Sequence, residues 1–196
     1  MAVSDILVSP VRILRSPTGT TLPADSLAAG GAWPAGWTEF GYTKTPLSVE
    51  YAFESLDYDI QESLAAVGRT KIKEELKIET TLAEYNLTNL DLAWDAYLSL
   101  TSSGSGVTGK EELTLGDQPE MEVLQWGFEG SYVSAAGNTH PFRVIVWKAT
   151  SEVGGKLEFG KADTTGIPLK LAAISDMTKS ANQRLVKFVK ITAPAT

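Results

Sequence analysis

Residues 71–98 read KIKEELKIETTLAEYNLTNLDLAWDAYL, and the spacing of the apolar residues changes part-way along. Up to Leu82 the repeat is two residues. Ile72, Leu76, Ile78 and Leu82 fall on one face, while Lys71, Lys73, Glu75, Lys77, Glu79 and Thr81 fall on the other. Such alternation predicts a strand over 71–82 with one face buried, longer than an average strand. From Thr88 the repeat becomes helical: Leu90, Ala93, Trp94, Tyr97 and Leu98 follow the i, i+3, i+4, i+7, i+8 order of a core-facing helix. Thr88 and Asp91 have the form of a capping box, and Leu87 with Leu92 matches a hydrophobic staple. The pattern predicts one helix at about 88–99, ended by SSGSGVTG at 102–109.

Upstream, Leu47, Val49, Tyr51 and Phe53 alternate with Ser48, Glu50, Ala52 and Glu54, so 47–54 reads as a second strand. Between the two strands, SLDYDIQESLAAVGR at 55–69 reads as a long connecting loop or extended hairpin tip. Downstream, EELTL at 111–115, MEVLQWGFE at 121–129, PFRVIVWKA at 141–149, GKLEFG at 155–160, IPLKLAAI at 167–174 and RLVKFVKI at 184–191 read as strands separated by turn-rich segments. Many strands and one helix predict a mainly β fold, an antiparallel sandwich or barrel flanked by the helix. Residues 1–46 differ: a short strand is followed by a Gly-, Ala- and Pro-rich stretch with little periodicity, read as an extended arm. Trp33, Trp37 and Tyr42 lie in it, and aromatic side chains of this size are expected to dock on the body or on a neighbouring subunit. The division is therefore an arm at 1–46 and one domain at 47–196.

The chain has 196 residues, enough for one domain that buries roughly 70% of its unfolded surface. It has no cysteine, which removes disulfides, thiolate metal sites and thiol nucleophiles together. Its formal net charge of −7 argues against tight binding of a nucleic-acid backbone. The acid is concentrated: Glu50, Glu54, Asp57, Asp59 and Glu62 fall in one stretch that holds no basic residue. No apolar run reaches the length of a membrane span. Asp5, Pro10 and Arg12 spoil the N-terminus as a signal peptide, so a soluble chain not secreted by the usual route is expected.

Motifs that would carry catalysis fail on context. Gly104-Ser-Gly-Val-Thr-Gly-Lys110 satisfies G-x-G-x-x-G, but Glu111 stands where a phosphate loop needs a hydroxyl. The loop is also expected to leave a helix and enter a strand, so no helix N-terminus is available to an anion. His140 is the single histidine and reads as a turn residue before Pro141; no metal site is expected. Asp57 and Asp59 lack the further oxygen ligands of a calcium loop. Without a partner histidine a serine triad has no base. Neither an enzyme nor a cofactor is expected.

The order of the parts resembles the tail tube (major tail) proteins of long-tailed bacteriophages. The residues that carry the resemblance are the Gly/Ala/Pro-rich arm ending in GWTEFGYTKTPLSVEY, the acidic loop, IKEELKIETTLAEYNLTNLDLAW, GIPLKLAAISDMT and the final RLVKFVKI. Together they span most of the chain. The resemblance implies hexameric rings that stack into a tube, through which DNA passes at ejection without specific binding. It implies partners within the tail (tape measure, terminator, and baseplate or tip), no membrane, assembly in the host cytoplasm and a place in the virion tail, non-contractile by the same likeness. Six copies at −7 would give a formal −42 per ring. Glu50, Glu54, Glu75 and Glu79 are then the candidates to face the bore, although Lys71, Lys73 and Lys77 fall on the same face as two of them and are expected to pair with acids of adjacent subunits. Asp57, Asp59 and Glu62 are the candidates for a loop reaching the next ring, and Trp33, Trp37 and Tyr42 for the subunit interface. A competing reading is a carbohydrate-binding, adhesin-like sandwich that stacks sugars on those three aromatics; another is a different ring-forming tail component such as a terminator.

Overall fold

The computed structural model describes residues 10–58, 61, 64–95, 97–101, 103–106, 108–117, 119–134, 137–152 and 166–192. Its strands are β1 Arg12–Pro17, β2 Thr38–Phe40, β3 Ser48–Tyr58, β4 Gly68–Leu82, β5 Tyr97–Thr101, β6 Lys110–Thr114, β7 Leu124–Val133, β8 Thr139–Ser151, β9 Ile167–Ala173 and β10 Val186–Lys190; the helix is α1 Leu87–Trp94. Eight strands form one antiparallel sheet in the order β2-β1-β7-β8-β9-β4-β3, with β10 also paired to β8. β5 and β6 form a separate hairpin. The fold is mainly β with one helix, as expected, but the sheet stays open and does not close into a barrel.

Alternation along each strand builds the two sides of the sheet. Ile13, Trp126, Phe128, Val144, Val146, Leu76, Ile78, Leu82, Leu169 and Leu171 point inward, where Leu90, Leu92 and Ala93 of α1 complete the core. On the outer side Leu14 and Ile145 are covered by Trp33, with Leu22, Leu27, Trp37 and Trp147 around them.

Several expectations need correction. The helix runs Leu87–Trp94 rather than to residue 99, and its N-cap is Asn86, whose side chain accepts from the Asn89 N–H at 2.7 Å. It ends at Asp95, which adopts a left-handed conformation (φ 47°) and returns its N–H to the Asp91 carbonyl. Tyr97 and Leu98, which extended the helical pattern, lie in β5 opposite Thr114 and Leu113. The Gly104–Lys110 loop therefore joins two strands rather than a helix and a strand. His140 belongs to β8, is only 7% exposed and lies against the Tyr132 ring. The predicted strand at 155–160 lies outside the described residues. Within 1–46, β1 sits inside the main sheet between β2 and β7, and residues 18–37 cross the sheet's outer side.

Candidate assembly surface

β3 and β4 form one long antiparallel hairpin, paired from Ser48↔Glu79 to Tyr58↔Gly68. Its base is anchored because Lys77–Leu82 of β4 pairs with β9 and Leu76, Ile78 and Leu82 enter the core. Beyond the base the hairpin leaves the body. Every residue of β3 is exposed, and β4 is exposed from Arg69 to Glu74. The segment expected to be loop at 55–69 is thus strand as far as Tyr58 and again from Gly68.

The register sorts the side chains. Glu50 faces Lys77, Ala52 faces Glu75, Glu54 faces Lys73, and Ser48 faces Glu79. Directly opposed residues share a side of the ribbon, so Glu50, Glu54, Glu75 and Glu79 occupy one face together with Lys73 and Lys77. Val49, Tyr51 and Phe53 occupy the other. The charged face is knitted within the chain: Lys73 meets Glu75 at 2.5 Å and Glu54 at 3.7 Å, Lys77 meets Glu152 at 3.8 Å, and Lys170 of β9 meets Glu79 at 3.0 Å. Lys73 and Lys77, expected to pair with acids of adjacent subunits, have partners within the chain. Hydrogen bonding between Lys73 and Glu75 raises the lysine's pKa and lowers the carboxylate's.

A register shift after Glu54 inserts one extra residue in β4. A bulge of this kind turns the following side chains over, and it corrects the face expected for Lys71. Its ammonium donates to the Tyr51 hydroxyl at 2.9 Å and to Glu74 at 3.0 Å, and lies 4.9 Å from the Phe53 ring centre. Tyr51 in turn donates to Glu74 at 2.9 Å. These bonds raise the Lys71 pKa and lower that of Glu74. Further out, Asp57 pairs with Arg69 through two contacts, one at 2.8 Å, which hold its carboxyl below the usual range. Asp59 and Glu62 lie outside the described residues.

The result is a ribbon that carries Glu50, Glu54, Glu75 and Glu79 on one side of its base and Val49, Tyr51 and Phe53 on the other, with an edge at β3 that no other strand pairs among the described residues. Tyr51 (48% exposed), Phe53 (53%), Leu56 (51%) and Tyr58 (47%) lie half in water. A cleft of about 590 Å³ separates the outer part of β4 from the chain leading into β10, with Lys71, Ile72 and Glu74 on one wall and Asn182, Leu185 and Val186 on the other. A long exposed strand edge with apolar side chains invites pairing with another chain.

Over residues 5–195 the chain matches the family model described as phage tail tube protein. The chain belongs to that family. No curated protein matches it. Membership makes it a structural component of the virion tail, one that works by self-assembly alongside other tail components. Among the described residues no cluster of His, Asp and Glu is arranged to hold a metal ion, and no helix is long and apolar enough to cross a membrane.

The three aromatics of the tail tube protein's arm part company. Trp33 is buried against the chain's own sheet and meets Trp37 edge-on at 4.7 Å between ring centres. Trp37 donates its indole N–H to the Thr21 carbonyl at 2.9 Å. Neither forms the open stacking platform that a sugar-binding reading needs. Tyr42, just past β2, is 80% exposed. Sequence reading missed Leu56 and Tyr58 as exposed strand residues, and Ile72, expected on the buried face, is 60% exposed; the alternation gave no signal that core partners end at Leu76.

Proposed function

We propose that this protein is the repeating subunit of a tail tube built from hexameric rings, and that the β3–β4 hairpin is the part that neighbouring copies complete. The observation that carries the reading is a hairpin exposed on both faces and along its outer edge, attached to a body whose core is closed. A head-to-tail contact between unlike surfaces generates a ring when its rotation closes and a filament when it does not. Closure also removes the free edge.

In this arrangement the face bearing Glu50, Glu54, Glu75 and Glu79 turns to the bore. Four carboxylates share it with only two lysines from the hairpin, which leaves it acidic and repels a passing DNA backbone. The field reaches about 8 Å at physiological salt, so repulsion acts at the wall and prevents sticking. The hairpin end, with Asp57, Asp59 and Glu62, contacts the next ring, and Tyr42 with the outer edge of Trp37 contributes to the lateral interface. The tube carries DNA at ejection, and its ends meet the terminator and the baseplate or tip while the tape measure occupies it during assembly in the host cytoplasm.

Negative-stain microscopy of the purified chain at high concentration tests this. Six-fold rings or tubes support the proposal; a persistent monomer contradicts it.

A further inference from the structure

The outer side of the sheet carries a charged cluster that the assembly surface does not use. Glu129 of β7 and Arg143 of β8 are each only 2% exposed at their side chains and bond at 2.8 Å. Glu129 Oε2 also accepts from Trp33 Nε1 at 3.2 Å, and Oε1 accepts from the Gly30 N–H at 3.0 Å and from Arg12 at 3.1 Å. Arg143 also donates to the Ala24 and Leu27 carbonyls at 3.0 and 2.7 Å, and Arg12 donates to the Gly31 carbonyl at 3.2 Å. A buried carboxylate is costly unless paired and hydrogen-bonded, and this one has four donors. Two of these donors, Gly30 and Trp33, belong to residues 24–33, and the other two, Arg12 and Arg143, hold carbonyls of that segment, which has no strand or helix to satisfy its own backbone.

A second, independent feature holds the same segment. Gly127 sits in the middle of β7, where a side chain would collide with the Trp33 ring and crowd Trp37. Glycine inside a strand marks the close approach of another group, and here it is the seat of two tryptophans. The segment is anchored at both ends, since β1 before it and β2 after it pair with each other. It is not packed solid throughout: a cavity of about 250 Å³ remains between Leu22, Pro23 and Asp25 above and Ile145, Lys187 and Val189 below.

We infer that residues 18–37 form a strap pinned over the sheet's outer side by the single carboxylate of Glu129, and that the strap can be released without unfolding the sheet. Release uncovers Leu14, Ile145 and Trp147 while leaving the inner core and the hairpin untouched. The inference is independent of how the subunit assembles.

The test uses the full chain with two substitutions that attack the strap by different chemistry. Glu129→Gln removes the charge that Arg12 and Arg143 share; Gly127→Val occupies the seat of Trp33. Chymotrypsin cleavage is mapped by mass spectrometry, acrylamide quenching reports tryptophan exposure, and thermal unfolding is followed by far-ultraviolet circular dichroism. The expected result in both variants is cleavage after Leu27 and Trp37 at least tenfold faster than in the wild type, with stronger quenching, unchanged cleavage elsewhere and a retained cooperative transition. Wild-type protection in Glu129→Gln overturns the pin. Loss of the cooperative transition in both variants overturns the separable strap. If only Glu129→Gln fails to fold, cleavage confined to the strap in Gly127→Val supports the inference and cleavage spread through the sheet contradicts it.

Discussion

The centre of this sheet and the hairpin at its edge use the same residue types to opposite effect. Under the strap, Arg12, Glu129 and Arg143 are satisfied by their own chain, and Trp33 is sealed by Gly127. On the hairpin, Lys71, Lys73, Glu74 and Glu75 are also paired, but in water, and Tyr51 and Phe53 stay half exposed. Strand alternation is the same in both regions. What differs is whether a second layer covers the strand. The centre is a finished domain, and the hairpin is strand without a lid. Salt bridges in water contribute little and are screened by salt, so the hairpin's ion pairs set its shape and charge more than they stabilise the monomer.

That contrast can be broken at several strengths. The largest effect is expected in the centre: Arg143→Met breaks the buried pair with Glu129, leaves that carboxylate with Arg12 as its charged partner and should cost about 3–5 kcal/mol in urea unfolding. An unchanged midpoint would deny the centre its closed character. A matched pair of truncations sharpens the difference. Phe128→Ala in the core should cost about 3–5 kcal/mol, whereas Phe53→Ala on the hairpin should stay within about 0.5 kcal/mol, both measured by the same denaturation. Equal costs would mean that the hairpin is as well packed as the body. Deleting 57–66 should leave monomer stability nearly untouched and abolish tube formation seen by electron microscopy; tubes of normal appearance would remove the hairpin end from the inter-ring contact. A smaller effect, about 1 kcal/mol, is expected from Asn86→Ala at the helix cap, which belongs to the finished part.

The smallest effect is one of pH. Arg69 lowers the Asp57 pKa in the folded chain. A carboxylate whose folded value is depressed contributes stability above its unfolded value, near 3.9, and loses that contribution as pH falls through the folded value. Amide protection at the outer hairpin, taken relative to the intrinsic exchange rate at each pH, should therefore fall below about pH 4 in the wild type. In Asp57→Asn that acid-dependent step should be absent. A hairpin with the same pH profile in both proteins would show that the pair does nothing.

The hairpin was legible because period-two alternation needs no knowledge of the partner. Its bulge was not: counting across Ile72 puts Lys71 on the charged face, and only the register shift at Glu54 shows otherwise. The helix start was nearly right, since Asn86 and Thr88 are both capping types, but the end was missed. Tyr97 and Leu98 suit a helical stripe and a strand equally, and pairing with β6 decided it. In the arm, the size of Trp33 implied docking on the body or on a neighbouring subunit and the chain's own sheet covers it, while the central place of β1 did not follow from six residues. Glu129 stood only as the last residue of the strand read at 121–129. The available sign was Gly127 two positions earlier, a strand glycine that made room for something. In the proposed assembly the bore, the ring and the inter-ring contact would be completed by a second copy, so which side of the hairpin faces what is set by that copy and not by one chain's alternation.

Hydrogen exchange with mass spectrometry, comparing the free subunit with assembled material, tests the incomplete hairpin most directly. Peptides covering Ser48–Tyr58 should gain at least a hundredfold protection on assembly, while β7 and β8 peptides, already protected, should change little. Equal exchange of the Ser48–Tyr58 peptides in both states would contradict a hairpin finished by its neighbours.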